Sequence, residues 1–170
     1  MNKFLVGLLF ASSVLATNND SILKIPTLQK NNWEIGGTLG TGYASGGIGF
    51  HGQINLSTLY YLIDELAVGL DSTFSYSTGI KHYRLRLGPS LQYNFWQNRH
   101  LTTYLKGSLL SDVSNFLSHS ELRTDIGLDY FPTSFLSIGH YLRFNKVIGG
   151  NEYVGELFGV TFGGKLAFHF

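Results

Sequence analysis

Two side chains of the types used in general acid–base chemistry stand where such chemistry is least expected. His140 and Glu156 are the ionisable exceptions in the runs "FLSIGHYLRFN" and "YVGELFGVTFGGKLAFHF", on a parity that is otherwise apolar apart from one glycine. An imidazole becomes a useful base when a carboxylate orients it within hydrogen-bond reach. If the two runs turn back near Gly149-Gly150, Glu156 falls opposite Arg143–Phe144, and His140 lies three or four residues further along, roughly 10–13 Å away. That is too far for a base and its orienting group, so no catalytic residue is expected. His51, His82, His100, His119 and His169 are scattered without ligand spacing, and cysteine is absent. No metal site and no cofactor are expected, and neither a G-x-S-x-G elbow nor a phosphate loop is present.

The first segment, "MNKFLVGLLFASSVLATNN", has Lys3, an apolar run from Phe4 to Ala11 and a V-x-A site ending at Ala16. This is the pattern of a secretory signal over residues 1–16, and the apolar run is shorter than the ~20 residues a spanning helix needs. Cleavage would leave Thr17 to Phe170, 154 residues with 11 basic and 11 acidic side chains, enough for one domain. Isolated positives without a basic run point away from nucleic acid. Residues 17–32 form a polar leader. No later apolar stretch reaches helical spanning length, so a membrane-embedded form would have to use strands.

The remainder, 33–170, divides at period two into eight segments: Trp33–Tyr43, Ile48–Tyr60, Leu66–Ser77, His82–Phe95, Leu101–Leu110, Ser120–Tyr130, Phe135–Asn145 and Tyr153–Phe170. The connectors are short enough for hairpins. Pro89, on the apolar parity of the fourth run, suggests a bulge. Eleven of the 12 charges placed in strands share the polar parity: Glu34, Asp71, Arg84, Arg86, Lys106, Glu121, Arg123, Asp125, Asp129, Arg143 and Lys165, with only Glu156 opposite.

Alternation alone does not say which face meets water. Most strand glycines, Gly36, Gly40, Gly69, Gly127, Gly159 and Gly163 among them, share the polar parity. In a narrow eight-stranded barrel they would make room for Arg and Lys. Aromatics fall at strand ends: Trp33, Tyr60, Tyr93, Phe95, Tyr130, Phe168 and Phe170 at one rim, and Tyr43, Phe74, Tyr76, Tyr83, Phe144 and Phe158 at the other. Those are the girdles of a membrane barrel, and closure removes the sheet edges that lipid forbids. Turning six basic residues toward lipid would cost on the order of 10–20 kcal/mol, more than a domain's usual stability. The expected fold is therefore an all-β, eight-stranded, antiparallel up-and-down transmembrane barrel. Its lumen would hold the eleven charges with Gln53, Asn55, Tyr104 and Tyr141, as a structural plug rather than a narrow solute path.

The terminal "FGGKLAFHF", with Phe162, Leu166, Phe168 and Phe170 alternating, resembles the last strand of bacterial outer-membrane β-barrel proteins. In that family this strand is the signal read by the barrel-assembly machinery. The whole pattern resembles the small eight-stranded members, such as the OmpA membrane domain, OmpX and NspA. The resemblance implies a non-enzymatic monomer in the bacterial outer membrane, with both termini in the periplasm and outer-membrane lipids, lipopolysaccharide included, around it. Outward loops would lie near 44–47, 78–81, 111–119 and 146–152; in the third, Phe116 and Leu117 are expected to pack onto the rim.

His140 and Glu156 also resemble the wall-facing residues of PagL-type lipid A deacylases. In those enzymes His and Ser stand two residues apart. Here Leu142 occupies the Ser position, so His140 reads as a neutral ring tolerated in the wall and Glu156 as a residue of the headgroup rim. From the terminal alternation, Phe170→Ser should lower the yield of membrane-inserted barrel, measured by outer-membrane fractionation; an unchanged yield would count against the assembly reading.

Overall fold

In the computed structural model, which describes residues 25, 28–44, 49–77, 82–98, 100–113, 120–148 and 158–170, eight strands follow one another around a closed sheet. They are β1 (Trp33–Ala44), β2 (Gly49–Ile63), β3 (Leu66–Ser77), β4 (His82–Gln97), β5 (Leu101–Asp112), β6 (Ser120–Thr133), β7 (Leu136–Ile148) and β8 (Phe158–His169). Each is antiparallel to the next, and β8 pairs back onto β1 from Glu34↔His169 to Ala44↔Gly159. Trp33 and Phe170 exchange both backbone hydrogen bonds at 2.9 Å, fastening the two ends of the barrel at one rim. We call this the terminal rim and its opposite the far rim. The expected signal over 1–16, Glu156, Phe116 and Leu117 lie outside the described residues.

The period-two pattern becomes two faces. Leu70 and Phe162 are 67% and 60% exposed, whereas Arg123 and Arg143 are each 1% exposed. A soluble protein distributes these residue types the other way round. An apolar exterior continuous around the barrel, with charges sealed inside, is stable only where lipid replaces water outside. The girdles are made of ring contacts: Trp33 meets Tyr60 at 4.8 Å near the terminal rim, and Tyr83 meets Tyr76 at 4.9 Å and Phe74 at 5.7 Å toward the far rim.

β5 and β7 run past their expected ends at the far rim, to Asp112 and Ile148, and three further strands do so at the terminal rim, where each extension is irregular. β2 continues beyond Tyr60 to Ile63, β4 beyond Phe95 to Gln97, and β6 beyond Tyr130 to Thr133. Each extension carries a register shift, at Tyr61/Ile63, Asn94/Trp96 and Tyr130/Thr133. For β2 and β6 the cause lies in the leader. Ile25 and Leu28 are buried against inward-facing Leu59, Tyr61, Ala67 and Phe131, so both faces of the wall are apolar here and the alternation disappears. Glu65 closes the β2–β3 turn at φ 73°, a left-handed conformation uncommon outside glycine. It is fixed by donating to the Leu28 carbonyl (3.0 Å) and accepting from the Asn94 amide (2.8 Å).

Pro89 does not mark a bulge. It pairs with Leu70 in unbroken register, and the β4–β5 ladder keeps its register from Leu87↔Ser111 to Ser90↔Ser108 across the Gly88-Pro89 step. A missing N–H removes a bond without shifting the strand. The bulge of β4 falls at Phe95 instead.

The two faces of β6 give the sharpest check. Ile126→Arg should destabilise the barrel by about 2–4 kcal/mol, because it puts a guanidinium into hydrocarbon. Asp125→Asn, one residue away and facing inward, should cost less because its amide still hydrogen-bonds. Urea unfolding in lipid vesicles measures both, and the reverse ranking would mean the faces are exchanged.

Candidate functional site

The lumen is where this chain concentrates its polar chemistry, and its pairs are stacked along the barrel. Nearest the terminal rim, the Lys165 ammonium lies 2.7 Å from Glu34 Oε1 and 2.8 Å from Asp129 Oδ2, over the face of Tyr104 at 4.5 Å. Glu34 also accepts from the Tyr61 hydroxyl (3.0 Å), which in turn accepts from the Asn94 amide (3.2 Å). Asp71 of β3 takes Lys106 Nζ at 2.6 Å and the hydroxyls of Ser108 and Ser90 at 2.7 and 3.3 Å.

Toward the far rim the cations are all arginine. Asp125 and Arg143, direct neighbours in the β6–β7 register, make a two-bond fork at 2.7 and 2.6 Å. The Arg143 guanidinium lies 4.7 Å from the Tyr141 ring centre. Glu121 holds Arg123 through Oε1 (2.7 Å to Nη2) and pairs with Arg86 through Oε2. Arg123 Nη1 then crosses the lumen to Asn55 Oδ1 (2.9 Å) and Thr73 Oγ1 (2.7 Å), and Thr73 bonds Asn55. In an eight-strand ring β6 stands opposite β2, so this one side chain spans the bore. Arg84 is half-buried, one inward position nearer the far rim than Arg86. Buried ions of this kind are held by mutual neutralisation and leave little tolerance for losing a partner.

The expected roles of several residues change. Tyr104 and Tyr141 meet Lys165 and Arg143 through their ring faces. Three inward glycines make room for those rings rather than for Arg and Lys, while Gly139 lies against the Asp129 carboxylate, Gly159 against the Asn145 amide, and Gly69 and Gly88 against neighbouring backbone. A Cβ on Gly127 would strike the Tyr104 ring, and one on Gly40 or Gly163 the Tyr141 hydroxyl. Gln53 is buried in the lumen wall. Ser90, Gln92, Asn94 and Ser108 were missed because they are uncharged, though their inward parity was an available signal, and Tyr61 because it lies beyond the expected end of the second run. Phe162, Leu166, Phe168 and Phe170 all face outward, between 44% and 68% exposed.

His140 faces outward as well. Its ring stacks on Phe162 (6.0 Å between centroids, 4° between planes) and pairs across β8 with Gly164. It lies four residues from Leu136, which pairs with Phe168 of one girdle, and four from Phe144 of the other. With tilted strands that is roughly 10 Å along the barrel axis from either girdle, the middle of the wall. The expected neighbour of Phe144 was Glu156; the residue opposite it is Val160.

No protein-family model and no curated protein matches this chain. Solved structures do. Neisserial surface protein A (NspA) aligns at 17% identity and TM-score 0.66, over 80% of this chain and 96% of its own. The N-terminal β-barrel domain of Pseudomonas aeruginosa OprF aligns at 14% and 0.55, over 83% and 98%. The outer-membrane enzyme PagL aligns at 13% and 0.55, over 79% and 97%. The chain therefore has the fold of the small eight-stranded outer-membrane barrels, a fold shared by enzymes and other proteins alike.

The Asp125–Arg143 fork generates a cycle. Asp125→Leu should cost about 3–5 kcal/mol by stranding Arg143, whereas Asp125→Leu with Arg143→Met should recover most of that loss. Unfolding in lipid vesicles measures the cycle, and simple additivity would mean that the pair is not coupled.

Proposed function

We propose that this chain is a non-enzymatic barrel of the bacterial outer membrane, with its termini in the periplasm and its lumen plugged by its own side chains. Its role in the envelope is structural or a modest surface interaction. Its partners are outer-membrane lipids, including lipopolysaccharide, and the assembly machinery that reads the last strand. The observation that carries the plugged lumen is Arg123, held by Glu121 of its own strand and bonded across the bore to Asn55. A narrow solute conduit is the competing reading for that lumen, and an eight-strand bore filled in this way leaves it little room. Planar-bilayer recording separates the two: the plugged barrel should give no discrete conductance steps, and reproducible steps from purified protein would overturn this reading.

A second reading, an outer-leaflet lipid-modifying enzyme, is supported by His140 and by the fold shared with PagL. Two features weigh against it. Leu142 stands where the nucleophile of the resembling motif would be, and the imidazole sits about 10 Å from either girdle, away from the headgroups on which such chemistry acts. His140→Leu should leave the lipid A acyl pattern unchanged and raise stability slightly, because an imidazole is costlier than Leu against hydrocarbon. Mass spectrometry of lipid A from cells expressing either form checks this; a deacylated species seen only with the wild type would establish the enzyme.

A further inference from the structure

We propose that the leader residues 25 and 28–32 form a strap sealing the terminal mouth of a hydrated lumen, with Ile25 and Leu28 as the sealing side chains. The proposal rests on the plugged-lumen reading and adds a second, separable closure to it.

Ile25 and Leu28 belong to no strand, yet each is only 2% exposed. One tight turn, with the Leu28 amide donating to the Ile25 carbonyl at 3.1 Å, sets them three residues apart on one side. They close over Leu59, Tyr61, Ala67 and Phe131, inward residues of β2, β3 and β6, and complete an apolar disc across the mouth. Backbone bonds hold the strap in place. Asn31 donates to the Tyr61 carbonyl (2.8 Å), Tyr61 to the Asn32 carbonyl (3.0 Å) and Glu65 to the Leu28 carbonyl (3.0 Å). The Lys30 amide donates to Asp64 Oδ1 at 3.1 Å.

The lumen beyond the disc is of opposite character. Gln92 Oε1, Tyr141 OH, Arg143 Nη1 and His51 Nδ1 are buried polar atoms with no hydrogen-bond partner among the described residues. Atoms of this kind take ordered water. A wet polar column therefore ends on a dry disc, and Tyr61 joins the two: its ring lies in the disc and its hydroxyl bonds Glu34. Arg123 and its partners obstruct solutes deeper in the bore, toward the far rim. The strap obstructs the mouth itself and keeps the apolar ends of β2, β3 and β6 from water.

The chain has no cysteine, so a single introduced thiol reports access without ambiguity. Ala67 is fully buried in the disc. Ala67→Cys in the folded, detergent-solubilised full-length protein is treated with a charged, membrane-impermeant maleimide. With the native strap, modification should be slow. With Ile25→Asp and Leu28→Asp added, it should be at least roughly tenfold faster, because local opening becomes the dominant state. Leu28→Ala gives an intermediate rate and serves if the double variant fails to fold, as judged by heat-dependent gel migration. Equal rates in all forms would overturn the proposal. Rapid labelling behind the native strap, with no bilayer conductance, would remove the strap and leave the Arg123 plug intact. Conductance by the wild type would remove the plug itself.

Discussion

Hydrocarbon offers a backbone no hydrogen bonds, and this requirement lies beneath every other feature of the molecule. Each N–H and C=O within the wall has to be answered by another part of the same chain. Eight strands answer it by closing, with β1 pairing both β2 and β8. Once the sheet is closed, alternation has only two destinations, lipid and lumen. Apolar residues take the first. The charges are left in a bore too narrow for bulk water, where each needs a counter-charge within reach. The two-bond fork of Asp125 and Arg143 and the reach of Lys106 to Asp71 follow from that confinement.

Within the bore, tyrosine and glycine work as a pair. Gly127 admits the Tyr104 ring, and Gly40 with Gly163 admits that of Tyr141. Those rings then receive Lys165 and Arg143 on their faces. A cation over an aromatic face gains attraction that grows as water is withdrawn. These three glycines thus serve the cations at one remove, by lodging the rings the cations lie upon.

The strands and their facing were legible in the sequence because one force, burial against lipid, acts on every second residue over the whole wall. Arg84, Arg86, Arg123 and the other inward charges could be assigned to the lumen from parity alone. Their partners could not. That Lys165 meets Asp129 as well as Glu34 depends on how strands stack across the ring, and β8 and β6 are not neighbours in sequence or in the sheet. The pattern also failed where a second apolar surface intervened. Tyr61, read as part of a connector, is a strand residue facing Ile25 and Leu28. Pro89 misled for a local reason: a proline drops one bond from a ladder and need not move its register.

The seam between β1 and β8 differs from the other seven in being joined by no hairpin. Closing it ties a loop of more than a hundred residues, from Ile35 to Phe168. Compared with a short turn, this adds about 3–4 kcal/mol of chain entropy to be overcome. Its side-chain contacts are also thin: Gly40 faces Gly163, Leu39 faces Gly164, and Gly36 lies against Ala167. Cross-strand side chains supply much of a sheet's cohesion, and glycines supply none. Under sideways tension the barrel should tear along this line, like a cylinder with one glued edge, and the Trp33–Phe170 clasp is the stitch at the end of the tear.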